Sequence, residues 1–415
     1  MSAPAASLDA VRPPVRTIGR DGRRRLLAAG LVAPLAAFLL FAFAAPIIWI
    51  LGYGVADNEL ASVWPRVSAE LRDGGDELPP DEAVFAALAA DLRGSQASRT
   101  AATAARRLNY ALPGGRSLVT QTARALADRQ EPDPGGGWRE TLIALDPAWG
   151  ERETWVALRQ ASGPVSAFFL LSAADLRLGA DGLERAPPEQ RIYLAVLWRT
   201  FAVAATVTAA AIVLGFPVAY FLANGPPALA SVAMVLVLLP LWTSLLVRTG
   251  AWVVLLQDQG LVNGALMALG LTSEPVRLLF NRTGLTIAMV HISLPYLILP
   301  LYATMTTIRP ELVKAARSLG ASPAVAFWRV YLPQTLPGLA AGALLVFILS
   351  LGYYITPALV GGAGDQLVSY FIAFYTTETF NWGMAGALAI LLVAATAILY
   401  VFYARLAGPR GLSLG

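Results

Sequence analysis

The sequence predicts an all-α integral membrane protein with six membrane-spanning helices and a mainly helical insertion between the first and second of them. Three observations lead there. Of its 415 residues, 56% are hydrophobic and only 14% are charged, with a mean hydropathy of +0.59; soluble domains carry about 25% charged residues. Several apolar runs reach the roughly 20 residues that a helix needs to cross a bilayer. Basic residues cluster in segments that the resulting topology leaves on one side, as the positive-inside rule requires of cytoplasmic loops. Cysteine is absent, which excludes disulfides and thiolate metal sites, and the single histidine excludes multi-histidine zinc centres. The basic residues are arginines except for Lys314.

Residues 1–25 carry Arg12, Arg16, Arg20, Arg23, Arg24 and Arg25 against Asp9 and Asp21, interrupted by Pro and Gly. They read as a cytoplasmic tail without a packed core. The apolar run at 26–55 exceeds the roughly 7–15 residues of a signal-peptide core and is assigned as the first span. Pro34 and Pro46 are expected to kink it. Residues 57–191 hold 20 of the 27 acidic residues. The run at 165–174 is too short to span, and 81–93, 98–111 and 117–129 show apolar spacing near the helical period, separated by Pro-Gly-rich turns. A small, mainly helical extracytoplasmic domain is expected there.

Arg191 and Arg199 precede a second span at 200–223, and the turn at 224–227 leads to a third at 229–247. The fourth covers 283–307, the fifth 335–358 and the sixth 383–404, followed by Arg405 and by Arg410 in a cytoplasmic tail at 406–415. The resulting core is 192–405, with a basic cytoplasmic loop at 308–333. That loop reads as two short helices joined by a bend. Pro310 and Glu311 suit a first helical turn, where a missing N–H is harmless and a carboxylate meets the positive dipole end. Gly320 and Ser322-Pro323 end that helix, and 324–331 forms the second. Ala315 and Ala316 give the first helix a small-residue face for a partner, and Glu311 is placed to neutralise Lys314 by an i,i+3 pair.

In that loop Ala315-Ala316, Gly320, Val330 and Leu332-Pro333 fall at the spacing of a known pattern: Glu-Ala-Ala, three residues, Gly, nine residues, an aliphatic residue, any residue, Leu-Pro. The loop therefore resembles the cytoplasmic coupling loop of permease subunits in binding-protein-dependent ABC importers. One position departs, Lys314 standing where that family has Glu. The stretches 239–249 with 256–263, 289–300, and 351–362 with Asn381-Trp382 resemble the spermidine/putrescine branch of these permeases. The resemblance covers about 192–405. It implies a five-helix permease core, location in the bacterial inner membrane with both termini cytoplasmic, and ATPase coupling through Glu311, Lys314, Ala315, Ala316, Gly320, Val330, Leu332 and Pro333. It implies as partners two ATPase subunits, a second permease subunit or a copy of this chain, an extracytoplasmic substrate-binding protein and the lipid bilayer, with no nucleic acid. No cofactor belongs to this chain; ATP and Mg belong to the ATPase subunits.

Trp242, Arg248, Tyr353, Tyr354, Thr356, Pro357 and Asp365 are the candidates for a substrate path or gate. Aromatic rings beside a helix broken at Pro357 and Gly361-Gly362 suit a cation held by ring faces and freed carbonyls, or else an interfacial aromatic belt. Arg248 either braces a gate or anchors at the interface. Asp258, Glu274, Asp365 and Glu378 either attract a cation, form salt bridges to a docking protein, or are solvated loop carboxylates. His291, inside the fourth span, is a proton relay or a neutral imidazole bonded to a neighbouring helix. Gly215, Gly342 and Gly386 suit close helix packing. No phosphate-binding GxxxxGK[ST] sequence is present, so ATP hydrolysis is assigned to partners. The cargo expected is a polyamine or another small organic cation, with an opine or other small solute as the alternative. A membrane-anchored sensor with 57–191 as receptor, and a membrane-embedded enzyme, are rivals that leave the 311–333 spacing unexplained.

Overall fold

A computed structural model describes residues 20–74, 77–179 and 181–407. The expected tail through residue 19 and Arg410 lie outside the described residues. The chain divides into two units at Ile50/Leu51. In the first, α1 (Arg20–Leu39) passes through a π turn at Leu40–Ala44 into α2 (Ala45–Tyr53). The Ala45 amide reaches back five residues to the Leu40 carbonyl. This wider turn sits directly before Pro46, which has no N–H and whose ring crowds the carbonyl four residues earlier.

The second unit begins with a helical insertion. Its elements are α3 (Glu59–Val63), α4 (Pro65–Asp73), α5 (Glu82–Ala97), α6 (Ala101–Ala111), α7 (Gly115–Ala125), α8 (Trp138–Leu145), α9 (Arg152–Ala161) and α10 (Phe168–Ala173). A hairpin of β1 (Leu176–Gly179) and β2 (Gly182–Arg185), not foreseen from the sequence, closes it. The apolar faces of the helices meet around Trp64, Phe85, Trp149 and Trp155, all fully buried. Each buried indole N–H finds an acceptor: Ser95 Oγ at 3.0 Å for Trp64, Thr122 Oγ1 at 2.9 Å for Trp149 and the Trp149 carbonyl at 2.8 Å for Trp155. Asp91 on α5 accepts from the Val67 amide at 2.9 Å and so caps α4, whose own N-cap residue supplies no side-chain bond. Burial pushes the Asp91 carboxyl above its ordinary range, against the downward pull of that amide.

Two carboxylates tie the insertion to its membrane neighbours. Asp57, just beyond α2, holds the Arg107 guanidinium through both oxygens at 2.9 Å from Nε, and both side chains are almost wholly buried. The guanidinium also lies over the Phe168 and Phe169 rings at 4.5 and 5.3 Å. Asp175, beside the hairpin, accepts from the Tyr193 and Leu194 amides at 3.0 and 2.9 Å. It thereby caps the first turn of the helix that follows.

That helix is α11 (Tyr193–Asn224), and the rest of the bundle is α12 (Pro227–Leu238), α13 (Leu245–Leu256), α14 (Leu261–Ala268), α15 (Arg282–Thr307), α16 (Pro310–Ser318), α17 (Pro323–Ala326), α18 (Leu332–Gly352), α19 (Ile355–Val360), α20 (Val368–Thr377) and α21 (Trp382–Ala407). Among the described residues, five helices are long and apolar enough to cross a membrane: Ala29–Tyr53, Pro188–Asn224, Arg282–Thr307, Pro323–Gly352 and Trp382–Val401. The sixth candidate is a pair, Pro227–Trp242 and Leu245–Ala268, bent by 104°. Helices α11, α15 and α18 form the centre, packed through Val207, Met289, Leu297 and Val346. A Cβ at Gly342 would come within 2.8 Å of the Leu297 carbonyl oxygen, so glycine there sets the approach of α18 to α15. Gly54 is equally pressed, its notional Cβ falling 2.7 Å from the Ala387 amide of α21.

Two expected spans are interrupted. The third breaks between Trp242 and Leu245, where Thr243 is extended and Ser244 caps α13 by accepting from the Val247 amide. The fifth, read as 335–358, ends at Gly352 because Pro357 cannot donate to the Tyr353 carbonyl and crowds it. Tyr353 is extended there, and its carbonyl accepts from Ser369 Oγ at 2.6 Å instead.

The Asp57–Arg107 contact yields a prediction. Arg107→Ala strands a buried carboxylate and is expected to cost about 3–5 kcal/mol, whereas Asp57→Leu combined with Arg107→Met costs less. Thermal unfolding of the detergent-solubilised chain, followed by circular dichroism, checks this. Equal losses in the two variants would show that packing over the rings, and not charge pairing, carries the contact.

Candidate functional site

The loop at 308–333 is built around a left-handed glycine. Helix α16 starts with Pro310, has Glu311 in its first turn, and ends where Gly320 takes φ +91°. The Gly320 amide bonds the Arg317 carbonyl at 3.0 Å and the Ala321 amide reaches back to Ala316 at 3.1 Å, closing the helix end. Ser322 then caps α17 through the Val325 amide. A π turn at Phe327–Tyr331 feeds α18, with the Leu332 amide bonding the Phe327 carbonyl directly before Pro333.

This loop presents apolar surface to solvent. Leu319 is 89% and Trp328 65% exposed, with Leu312 and Val325 beside them in sequence. Of the coupling candidates, Glu311, Lys314, Ala315, Gly320 and Pro333 are exposed, and Ala316, Val330 and Leu332 are half-buried. The expected Glu311–Lys314 ion pair does not form among the described residues. Both groups stand in water, where such a pair gains too little to hold two side chains in one geometry.

Behind the loop lies an aromatic joint not identified from the sequence. Phe327 stacks on Tyr331 at 5.8 Å, Tyr220 of α11 meets both edge-on at 5.9 and 5.4 Å, and Asn224 Nδ2 donates to the Tyr331 hydroxyl at 2.9 Å. These contacts connect the end of α11 to the turn that carries the loop into α18. The aromatic density of 327–331 was the available signal, but its partner on α11 is more than 100 residues away.

The pathway candidates divide into a joined group and an isolated member. Thr249 Oγ1 and Thr356 Oγ1 lie 3.2 Å apart in buried surroundings and link α13 to α19. Arg248, next to Thr249, is partly buried, and its Nε and Nη1 have no hydrogen-bond partner. Tyr353 forms the break before α19, Tyr354 is exposed and Pro357 is buried within α19. Asp365 accepts from Arg282 Nε at 2.9 Å, and beside it Arg199 donates to the Gln366 carbonyl at 3.1 Å. Trp242, 74% exposed at the bend, shares no hydrogen bond or ring contact with the others. Asp258, Glu274 and Glu378 are exposed, which leaves Asp365 as the buried carboxylate of that set.

His291 accepts a hydrogen bond at Nδ1 from Trp252 Nε1 at 3.2 Å, the neighbour-bonded arrangement considered for it from the sequence. Both side chains line a groove of about 590 Å³ between α11, α13 and α15, with Thr206, Thr286 and Arg282 also on its wall. None of the pathway residues named from the sequence lines this groove.

Comparison with known proteins matches residues 211–410 to the family described as binding-protein-dependent transport system inner membrane component. The chain is similar to the spermidine/putrescine transport system permease protein PotB of Salmonella typhimurium strain SL1344, 32% identical over 214 residues, covering 52% of this chain and 75% of that protein. PotB of Escherichia coli K12 is 33% identical over 214 residues, covering 52% and 78%. PotB of Haemophilus influenzae is 34% identical over 214 residues, covering 52% and 75%. With its spans, its loop and this similarity over three quarters of each relative, the chain belongs to the binding-protein-dependent transport system inner membrane components, the permease subunits of ABC importers, which are transport components and not enzymes.

Proposed function

We propose that this permease imports a polyamine, or another small organic cation, by alternating access driven from separate ATPase subunits. The observation that carries the cargo is the similarity to three permeases named for spermidine and putrescine. Two ATPase subunits, a second permease subunit or a copy of this chain, and an extracytoplasmic binding protein complete the transporter. The segments ending at residue 25, at 308–333 and after 404 carry the basic excess, so they face the cytoplasm and 57–191 faces outward.

Helix α16 and the apolar surface around Leu319 and Trp328 take up the ATPase contact. Lys314 replaces an acidic contact with a basic one, so the ATPase groove must accept a cation there. Motion of α16 passes through the Phe327–Tyr331–Tyr220 joint into α18 and α11, which rearranges the bundle around the α13–α19 contact. A carboxylate at Asp365 and rings at Tyr353 and Tyr354 suit a cationic cargo. One observation favours a second reading: the unpartnered Arg248 guanidinium, with Arg282 and Arg199 near Asp365, suits an anionic solute such as an opine.

Two predictions separate these points. Gly320→Val forces a β-branched residue to φ +91° and is expected to lower substrate-stimulated ATP hydrolysis of the assembled transporter several-fold while the subunit still inserts. Undiminished stimulation in an inserted variant would remove 310–333 from coupling. In proteoliposomes, binding protein loaded with spermidine or putrescine should stimulate both uptake and ATP hydrolysis, and Arg248→Gln should leave that uptake within a few-fold. Silence with polyamines, together with anion uptake that Arg248→Gln abolishes, would establish the second reading.

A further inference from the structure

A chamber of about 420 Å³ lies where the insertion meets α11, α20 and α21. It shares no lining residue with the groove beside His291 and none with the pathway candidates. Five aromatic rings from four elements stand on its wall: Tyr110, Phe168, Phe169, Tyr193 and Tyr375, of which Phe168 and Phe169 already carry the Arg107 guanidinium over them. Tyr110 meets Phe169 edge-on at 6.4 Å, Tyr193 is tilted against Tyr375 at 6.5 Å, and the hydroxyls of that second pair share a hydrogen bond. Thr379 also lines the chamber, and its hydroxyl is shielded from water without a hydrogen-bond partner. A shielded hydroxyl in that state keeps a hydrogen bond to offer. Glu189 adds an exposed carboxylate, while the charge of Arg177 on the same wall is met by Glu184 at 2.7 Å.

These features call for one kind of guest. Ring faces carry negative potential that attracts ammonium groups, and Tyr110, Tyr193 and Tyr375 are not among the rings that Arg107 covers. A hydroxyl and a carboxylate accept the N–H bonds such a group must make. The volume lies within the range of small-ligand cavities, about 300–1,000 Å³, and is far too small for a folded partner.

We propose that this chamber binds an alkylammonium group. A free polyamine and a phosphatidylethanolamine headgroup both present that group, and the chamber lies at the ends of apolar helices. The proposal stands on the chamber and is independent of the cargo proposed above.

The test uses the full chain, delipidated in dodecyl maltoside, without partner subunits. Calorimetry with spermidine and native mass spectrometry with phosphatidylethanolamine against phosphatidylglycerol read the two sources. One of the two amines is expected to bind. Tyr375→Leu should weaken that binding about tenfold, and Glu189→Gln several-fold. Tyr400→Leu, an exposed ring near the other end of α21, should leave it unchanged. Spermidine binding that follows the chamber variants identifies a free amine as the ligand; selective phosphatidylethanolamine retention that follows them identifies the headgroup. Should Tyr375→Leu fail to fold, the exposed Glu189→Gln and the isosteric Thr379→Val decide. Binding of neither amine, or binding that the chamber variants leave unchanged, overturns the proposal.

Discussion

Every backbone N–H and C=O in a membrane-spanning segment must find a partner within the protein, because hydrocarbon offers none. Proline is where that requirement bites, since each one deletes a donor and crowds the carbonyl four residues earlier. At three prolines the chain answers in two ways, while Pro34, Pro217, Pro295, Pro300 and Pro337 are carried inside continuous helices. Before Pro46 and before Pro333 the helix widens into a π turn, with an amide reaching back five residues. Before Pro357 the helix stops, and the Tyr353 carbonyl turns to a side chain on the next element. The first answer preserves a continuous span. The second opens the bundle and creates the short α19, which meets α13 through Thr249 and Thr356. Prolines thus place both the joint behind the 308–333 loop and the interruption around which the pathway candidates gather.

At the other end of the bundle the insertion is fastened by carboxylates. Asp57 fixes the chain just after α2 to α6 and α10, and Asp175 supplies the cap that α11 lacks in its own N-terminal residues. A buried ion pair gives little net stability, because desolvation offsets much of the attraction, but it penalises every arrangement that separates the partners. Together with Gly54 against α21 and the Phe169 ring against Gly383, these contacts make the insertion a fixed part of the bundle's end. The aromatic chamber is a product of that fixed meeting, since its rings come from both sides of it.

The charged groups beside the pathway candidates form no simple cation trap. Asp365 is engaged by Arg282, Arg199 lies alongside, and Nε and Nη1 of the half-buried Arg248 have no hydrogen-bond partner. Similarity to polyamine permeases and this local excess of arginine point in different directions. In this conformation Arg282 alone among them neutralises Asp365, while Arg199 is held by the Gln366 carbonyl.

The sequence by itself determined the class of protein, the apolar runs and the place of the loop, while the break in the third span at 242–245 came from the structure. Hydrophobic length, arginine placement and the order of Pro310, Gly320 and Ser322-Pro323 are local signals, and bilayer thickness and helix-end chemistry read them directly. It also located helix breaks near Pro357, because proline acts on its own neighbours. Tertiary structure alone decided the rest. Whether Glu311 and Lys314 pair depends on solvation, which i,i+3 spacing does not report. That Asp175 caps α11, that Asp57 meets Arg107 and that Tyr220 closes on Tyr331 are contacts across long stretches of chain. The five rings of the chamber likewise come from 110, 168, 169, 193 and 375, positions with no common period or motif. Their convergence is a property of the folded bundle that no local pattern encodes.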